Sequence, residues 1–145
     1  MSATSERRVV RTPAGPRDVP GRLHLVEPLP GLPVGTEYSL EALDDIGFLF
    51  ALRGEDRAGG LRLFVVSPGL AFPGYAPEIP RTVLDAVCGA DAEPEHVLLA
   101  VVHPGPDERP APTADLLAPI VVGCATGRAV QTVLDDDLPL RAPLR

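Results

Sequence analysis

The sequence predicts a mainly β fold: a small antiparallel barrel or sandwich in a single domain, 1–145, with one short helix at about 80–88. Three observations point there. Apolar residues alternate with polar ones over short runs, which is the period of a half-buried strand. Pro (18 residues) and Gly (14 residues) punctuate the chain every few positions, too often for long helices. Hydrophobic residues make up 45% of the chain but aromatics only 4%, so the core is expected to be Val, Leu and Ala.

Taken in order, Arg22 to Val26 alternates and reads as a strand that ends at a Pro/Gly turn, Glu27 to Gly31. The stretch 36–45 is ambiguous. Tyr38, Leu40 and Ala42 alternate as in a strand, while Leu40 to Leu43 has good helix propensity. Phe48 to Leu52 and Leu61 to Val66 read as strands, and the charged, Gly-rich run from Arg53 to Gly60 between them reads as a hairpin connection. Val97 to Val102 and Ile120 to Val122 are short apolar runs bounded by turn residues, as buried strands are. Val130 to Leu134 makes a last strand.

The helix follows Ile79. Pro80 suits its first turn, Val83, Leu84 and Val87 share one face, and Gly89 suits its end. The many prolines belong on edges, at bulges or in loops, because Pro has no N–H for a ladder.

All thirteen basic residues are Arg, and the chain contains no Asn. With the excess of Ala, Gly and Pro, this is the footprint of GC-rich codons, so some residue choices reflect mutation rather than physics. The formal charge of −7 is unevenly placed. Residues 1–22 carry five Arg against Glu6 and Asp18, while the remainder carries eight Arg against eighteen acids, a local charge of −10. Such a body repels nucleic acid and suits a basic protein surface. On charge alone, ordinary solubility is the favoured account of it. The Arg-rich start leaves two readings open, a first strand or a loose arm.

No apolar run approaches the roughly 18 residues that a membrane span needs. Met1 to Arg11 has no apolar stretch of the signal-peptide kind, so a cytoplasmic location is expected. In a reducing compartment Cys88 and Cys124, with no Cys-x-x-Cys spacing, are expected to be buried, unbridged thiols. A monomer is expected, since no long apolar seam is present.

Convergent polar groups of the catalytic kind are missing from the pattern. His24, His96 and His103 share no metal-ligand spacing. Asp135 to Asp137 are consecutive, whereas Ca²⁺ takes spaced oxygens around a Gly-centred loop. Ser67-Pro-Gly69 lacks the Gly-x-Ser-x-Gly frame of a nucleophile elbow, and phosphate-binding and dinucleotide fingerprints are absent. The expectation is a protein that is not an enzyme and needs no cofactor or metal. The alternative is a small β-barrel enzyme or ligand-binding domain with a polar site around His103, Asp115 and Asp135.

One pattern in the C-terminal half exceeds what composition explains. Thr113-Ala-Asp-Leu-Leu-Ala-Pro-Ile-Val-Val122 resembles the signature of the FliW family of flagellar assembly factors, Thr before Asn-Leu, one residue, then Ala-Pro-Ile-Val. Leu98 to Pro104 is similar to the family's upstream apolar strand, and Gly127 to Leu134 to its Gly-to-Gln strand, with Gln131 in its place. Pro68, Phe72, Pro73 and Tyr75 match its Pro, Phe-Pro, Tyr stretch, and Leu29 to Gly31 an early turn. The blocks stand in the right order over most of the chain. Departures are Asp115 and Gly123 for usual Asn, Leu32 for Phe and Leu138 for Tyr.

The resemblance implies a small β-barrel-like domain that binds flagellin and the translational repressor CsrA, relieving repression of flagellin synthesis when secretion removes flagellin. A narrower reading is a flagellin-only export chaperone. Flagellin's terminal amphipathic helices call for an apolar groove, and Leu70, Phe72, Tyr75, Leu116 and Leu117 are the candidates for its wall. Asp115 and Gln131 complete the partner-binding set as polar members. Each also has a purely structural reading: Leu116 to Ile120 as a bulged strand, Phe72 and Tyr75 as core, Gln131 as the partner of a nearby backbone group.

Overall fold

Alternation becomes strand wherever one face can be buried, and in this chain it does so around a closed ring. The computed structural model describes residues 7–26, 37–54, 62–72, 74–89, 95–103, 113–134, 138 and 142–143. The turn at Glu27 to Gly31, Leu32, most of the Arg53 to Gly60 connection, Pro73, Pro104 and Asp135 to Asp137 lie outside the described residues. The elements are β1 (Arg7–Thr12), β2 (Gly15–Pro20), β3 (Arg22–Leu25), β4 (Glu37–Ala42), β5 (Leu49–Gly54), β6 (Arg62–Val66), α1 (Pro68–Ala71) and α2 (Arg81–Cys88). Then come β7 (His96–His103), β8 (Thr113–Ala114), β9 (Ile120–Gly123), β10 (Arg128–Gln131) and β11 (Ala142–Pro143).

Strands β7, β6, β5, β4, β3, β10 and β9 are neighbours in that order, and β9 pairs back onto β7, closing a seven-stranded barrel. Closure removes the exposed edges that open sheets must protect. All pairs in the ring are antiparallel except β3 with β10, which run parallel through Arg128 opposite His24. The ambiguous stretch 36–45 resolves as β4, whose Tyr38 and Leu40 point inward while Ser39 and Glu41 are half-exposed. The last barrel strand runs from Arg128 to Gln131, starting two residues and ending three residues earlier than the sequence pattern predicts.

Leu23 and Leu25, Phe50 and Leu52, Val97 and Leu99, Ile120 and Val122 fill the barrel with apolar volume that is aliphatic apart from Phe50. Tyr38 is fully buried among them, and its hydroxyl has no hydrogen-bond partner among the described residues. Burial raises its pKa above the usual tyrosine value.

The outside of the barrel is covered in two places. Helix α2 lays Val83, Leu84 and Val87 over Val121, Leu98 and Val130, so every residue of β9 is buried. Pro80 caps the helix rather than starting it, and Gly89 ends it at a φ of 94°, a conformation that suits glycine. Gly123 is essential to this fit, because a Cβ there would sit 2.2 Å from the Val87 carbonyl oxygen. The second cover is built from α1, β8 and β11, described below. Helix α1, a single turn, adds to the one helix that the sequence predicts.

The Arg-rich start is a strand, not a loose arm. β1 and β2 form a hairpin whose two-residue turn, Pro13-Ala14, follows from Thr12 standing opposite Gly15. Val10 and Val19 have no solvent exposure and join the barrel core. Four arginines tie the hairpin down: Arg7 to the Cys124 carbonyl, Arg8 to that of Leu40, Arg11 to that of Ile46, and Arg17 to the Glu95 carboxylate. Three of the four bond to backbone carbonyls. On the open side of β2, Pro16 and Pro20 offer no N–H to a passing strand.

Candidate partner-binding site

Phe64, Val66, Ala100 and Val102 face outward from β6 and β7, and an apolar outer face must be covered by something. Val66 and Ala100 are buried beneath Ala114, Leu116 and Ala142, while Phe48, Leu49, Phe72, Tyr75, Val102 and Leu138 pack around them half-buried. Two chain segments, with Leu138 and the β11 residue Ala142 beside them, make this cover. The first runs through α1. Ser67 anchors it, its N–H donating to the Phe48 carbonyl (2.9 Å) and its hydroxyl to the Arg11 carbonyl (2.7 Å). The helix turn closes from the Phe72 N–H to the Pro68 carbonyl, and the Tyr75 N–H then bonds the Phe72 carbonyl.

The second segment is the signature itself. After β8, the Asp115 N–H donates to the Val101 carbonyl, and its Oδ1 accepts the N–H groups of Leu117 and Ala118, both at 3.1 Å. This side-chain turn bends the chain sharply enough to enter β9. The far side is stitched by Gln131, whose amide donates to the Ala118 carbonyl (3.0 Å), and by Leu134, whose N–H donates to the Leu117 carbonyl (2.8 Å). The two segments meet where the Tyr75 hydroxyl donates to the Leu116 carbonyl at 2.7 Å.

The structure therefore brings Phe72, Tyr75 and Leu116 together in one cluster and sets Asp115, Leu117 and Gln131 around the adjoining bend. Leu116 is only 4% exposed, so its side chain shapes the wall from behind. Phe72, Tyr75, Leu117 and Leu70 are half-buried. Asp115 answers the departure from Asn in physical terms. The turn needs one acceptor oxygen, which either residue has. Gln131 satisfies the backbone at Ala118, as its structural reading holds. Leu138, in place of the usual Tyr, packs against the same cluster.

His103 stands opposite Thr113 across β7 and β8, and so lies near Asp115 along the ladder, but the Asp115 Oδ1 is turned into its own bend. Among the described residues no group of three His, Cys, Asp or Glu side chains could hold a metal ion. His24 pairs with Glu37 across β3 and β4. The two cysteines are unbridged and buried. The Cys88 thiol and the Cys124 N–H both donate to the Glu95 carbonyl, at 3.5 and 3.0 Å. Burial, with Asp85 and Glu95 nearby, pushes the Cys88 thiol up, and burial and then Glu95 push Cys124 up to about 11. Both shifts favour the thiol over the reactive thiolate. No described helix is long and apolar enough to cross a membrane.

Sequence reasoning missed a cleft beside Tyr75, between the hairpin turn and α1. Its lining comes from the stretches 12–17, 67–75 and 96–98, and no local pattern marks their convergence.

Comparison with known proteins agrees with the signature. A curated relative from Symbiobacterium thermophilum, named flagellar assembly factor FliW, is 38% identical over 81 residues, which are 55% of this chain and 57% of that protein. The match thus spans little more than half of the relative. A crystal structure of the flagellar assembly factor FliW superposes with a TM-score of 0.69 over 97% of this chain and 96% of the other, at 18% identity, and so shares the fold. The family model described as FliW protein matches residues 5–144, nearly the whole sequence, and the chain belongs to the FliW family.

Proposed function

We propose that this protein is a flagellar assembly factor of the bacterial cytoplasm that binds flagellin and antagonises the translational repressor CsrA. Flagellin synthesis then follows flagellin secretion: export frees the protein to capture the repressor, and accumulated flagellin occupies it again. The observation that carries the reading is the half-buried apolar cluster of Phe72 and Tyr75, with Leu117 beside it, built where the α1 segment meets the segment that bears the family signature. A half-covered apolar surface with rigid hydrogen-bonded edges suits the apolar face of an amphipathic helix, the form of flagellin's terminal segments. For the repressor, the supporting feature is charge. An RNA-binding protein carries basic surface, and a body with a formal charge of −10 over residues 23–145 attracts it while repelling the RNA phosphates.

The test uses purified flagellin from the same organism and isothermal titration. Tyr75→Ala and Leu117→Asp, each shown to be folded, are expected to weaken flagellin binding about tenfold or more, as loss of an interface anchor does. Wild-type affinity in both variants contradicts the assignment of the surface. Flagellin binding without any repressor binding leaves the export-chaperone role alone.

A further inference from the structure

The turn of the β1–β2 hairpin faces α1 across a cleft of about 180 Å³, which shares only Tyr75 with the candidate partner-binding residues. Pro13, Ala14, Pro68, Val97 and Leu98 supply its apolar lining. The volume is in the range of the ~150 Å³ apolar cavities that hold a benzene ring, which is room for one ring or branched aliphatic side chain. Most polar groups in the lining are committed. The Thr12 hydroxyl donates to the Gly15 carbonyl, that of Ser67 to Arg11, and that of Tyr75 to Leu116.

Arg17 differs. Its Nη1 bonds Glu95 at 3.0 Å, while its Nε and Nη2 make no hydrogen bond among the described residues. The pair is solvent-facing, with the Arg17 side chain 36% and the Glu95 side chain 58% exposed. A guanidinium offers a planar fork that fits a carboxylate with two parallel bonds, and Glu95 engages only one of its nitrogens. In a chain whose body repels anions, this cleft joins a hollow of mixed apolar and polar lining to a cation with donors to spare.

We propose that the cleft receives one apolar side chain of a protein partner together with the carboxylate of an adjacent Asp or Glu, the carboxylate pairing with Arg17 in competition with Glu95. The proposal does not depend on flagellin being the partner, because it follows from the cleft and Arg17 alone.

The test is an NMR titration of the ¹⁵N-labelled protein with three blocked dipeptides, acetyl-Leu-Asp-amide, acetyl-Leu-Asn-amide and acetyl-Ala-Asp-amide. Leu-Asp is expected to shift the amides of Ala14, Gly69 and Leu98 saturably. Leu-Asn, lacking the charge, and Ala-Asp, lacking the apolar group, are each expected to bind at least about threefold more weakly, the scale of one solvent-facing ion pair or one buried methylene group. Glu95→Gln removes the competitor and is expected to tighten Leu-Asp, an effect that a merely structural ion pair does not produce. Arg17→Gln, its fold checked on the remaining amide signals, is expected to abolish the preference for Asp over Asn. Absence of a saturable shift at the cleft overturns the proposal. So do equal affinities for Leu-Asp and Leu-Asn, or a Glu95→Gln variant that binds no more tightly than wild type.

Discussion

The Tyr75 hydroxyl donates to the Leu116 carbonyl at 2.7 Å across 41 residues of sequence, and this bond locks the α1 segment onto the signature segment. Both segments cover the same outer face of β6 and β7, so the bond joins the two halves of the candidate surface. Tyr75→Phe keeps the ring in the cluster and removes one hydrogen bond. The expected loss is about 1 kcal/mol in urea unfolding with an unchanged slope. A midpoint equal to wild type contradicts the tie.

Asp115 accepts two backbone N–H groups through one oxygen, and an amide can do the same. Asp115→Asn is expected to leave stability within about 0.5 kcal/mol, the range of an inconsequential change. Asp115→Ala leaves two N–H groups to solvent or unsatisfied, with an expected loss of about 1–3 kcal/mol. Equal stability of the Ala and Asn variants would falsify the turn assignment.

Gly123 lies under the Val87 carbonyl at the end of α2, and a Cβ there meets backbone, not a side chain that can swing away. Gly123→Ala must push α2 off β9 or distort the strand. The expected cost is about 1–3 kcal/mol, the usual range for overpacking, read from the thermal midpoint. Gly123→Asn, the residue usual in the family, is expected to cost at least as much in this chain. Neutral behaviour of both variants means that α2 sits further from β9 than described.

Cys124 gives the fold an alkaline weakness. Burial raises its thiol to about 11 in the folded protein, with Glu95 adding to the effect and Arg17 opposing it. In the unfolded chain a thiol titrates near about 8.5. Between those values the unfolded state has lost a proton that the folded state keeps. The contribution is therefore whole below about 8.5 and is lost as pH rises toward about 11. Cys88, also raised, adds in the same direction. Urea midpoints measured between about pH 7.5 and 9.5, below the ordinary tyrosine range, are expected to fall with pH, and less steeply in Cys124→Ala. Parallel slopes contradict the assignment.

Much of the barrel is legible in the alternation. Leu23 and Leu25, Phe50 and Leu52, and Val97 and Leu99 all point inward, as the period of two requires. Neighbour relations are not legible. Nothing in Val97 to Val102 says that it pairs with both β6 and β9, or in Arg128 to Gln131 that it runs parallel to β3, because a strand's pattern records which face is buried and not beside whom. The hairpin was ambiguous because Arg7, Arg8, Arg11 and Arg17 suit a solvated arm as well as a strand. Only the structure shows that they reach the barrel's carbonyls and Glu95. The candidate site was legible as a set of residues through the signature. Its inward bonds were not, since Asp115 and Gln131 serve main-chain groups that no sequence pattern identifies.

The central claim is that one protein answers to both flagellin and the repressor. It is tested most directly by pulling this protein down from the lysate of its own host, with and without an excess of purified flagellin. The account predicts that CsrA is retained in the absence of added flagellin, that it is displaced as flagellin is added, and that its retention falls steeply between low and high salt. Retention of neither protein, or of the repressor unchanged by flagellin and by salt, would contradict it.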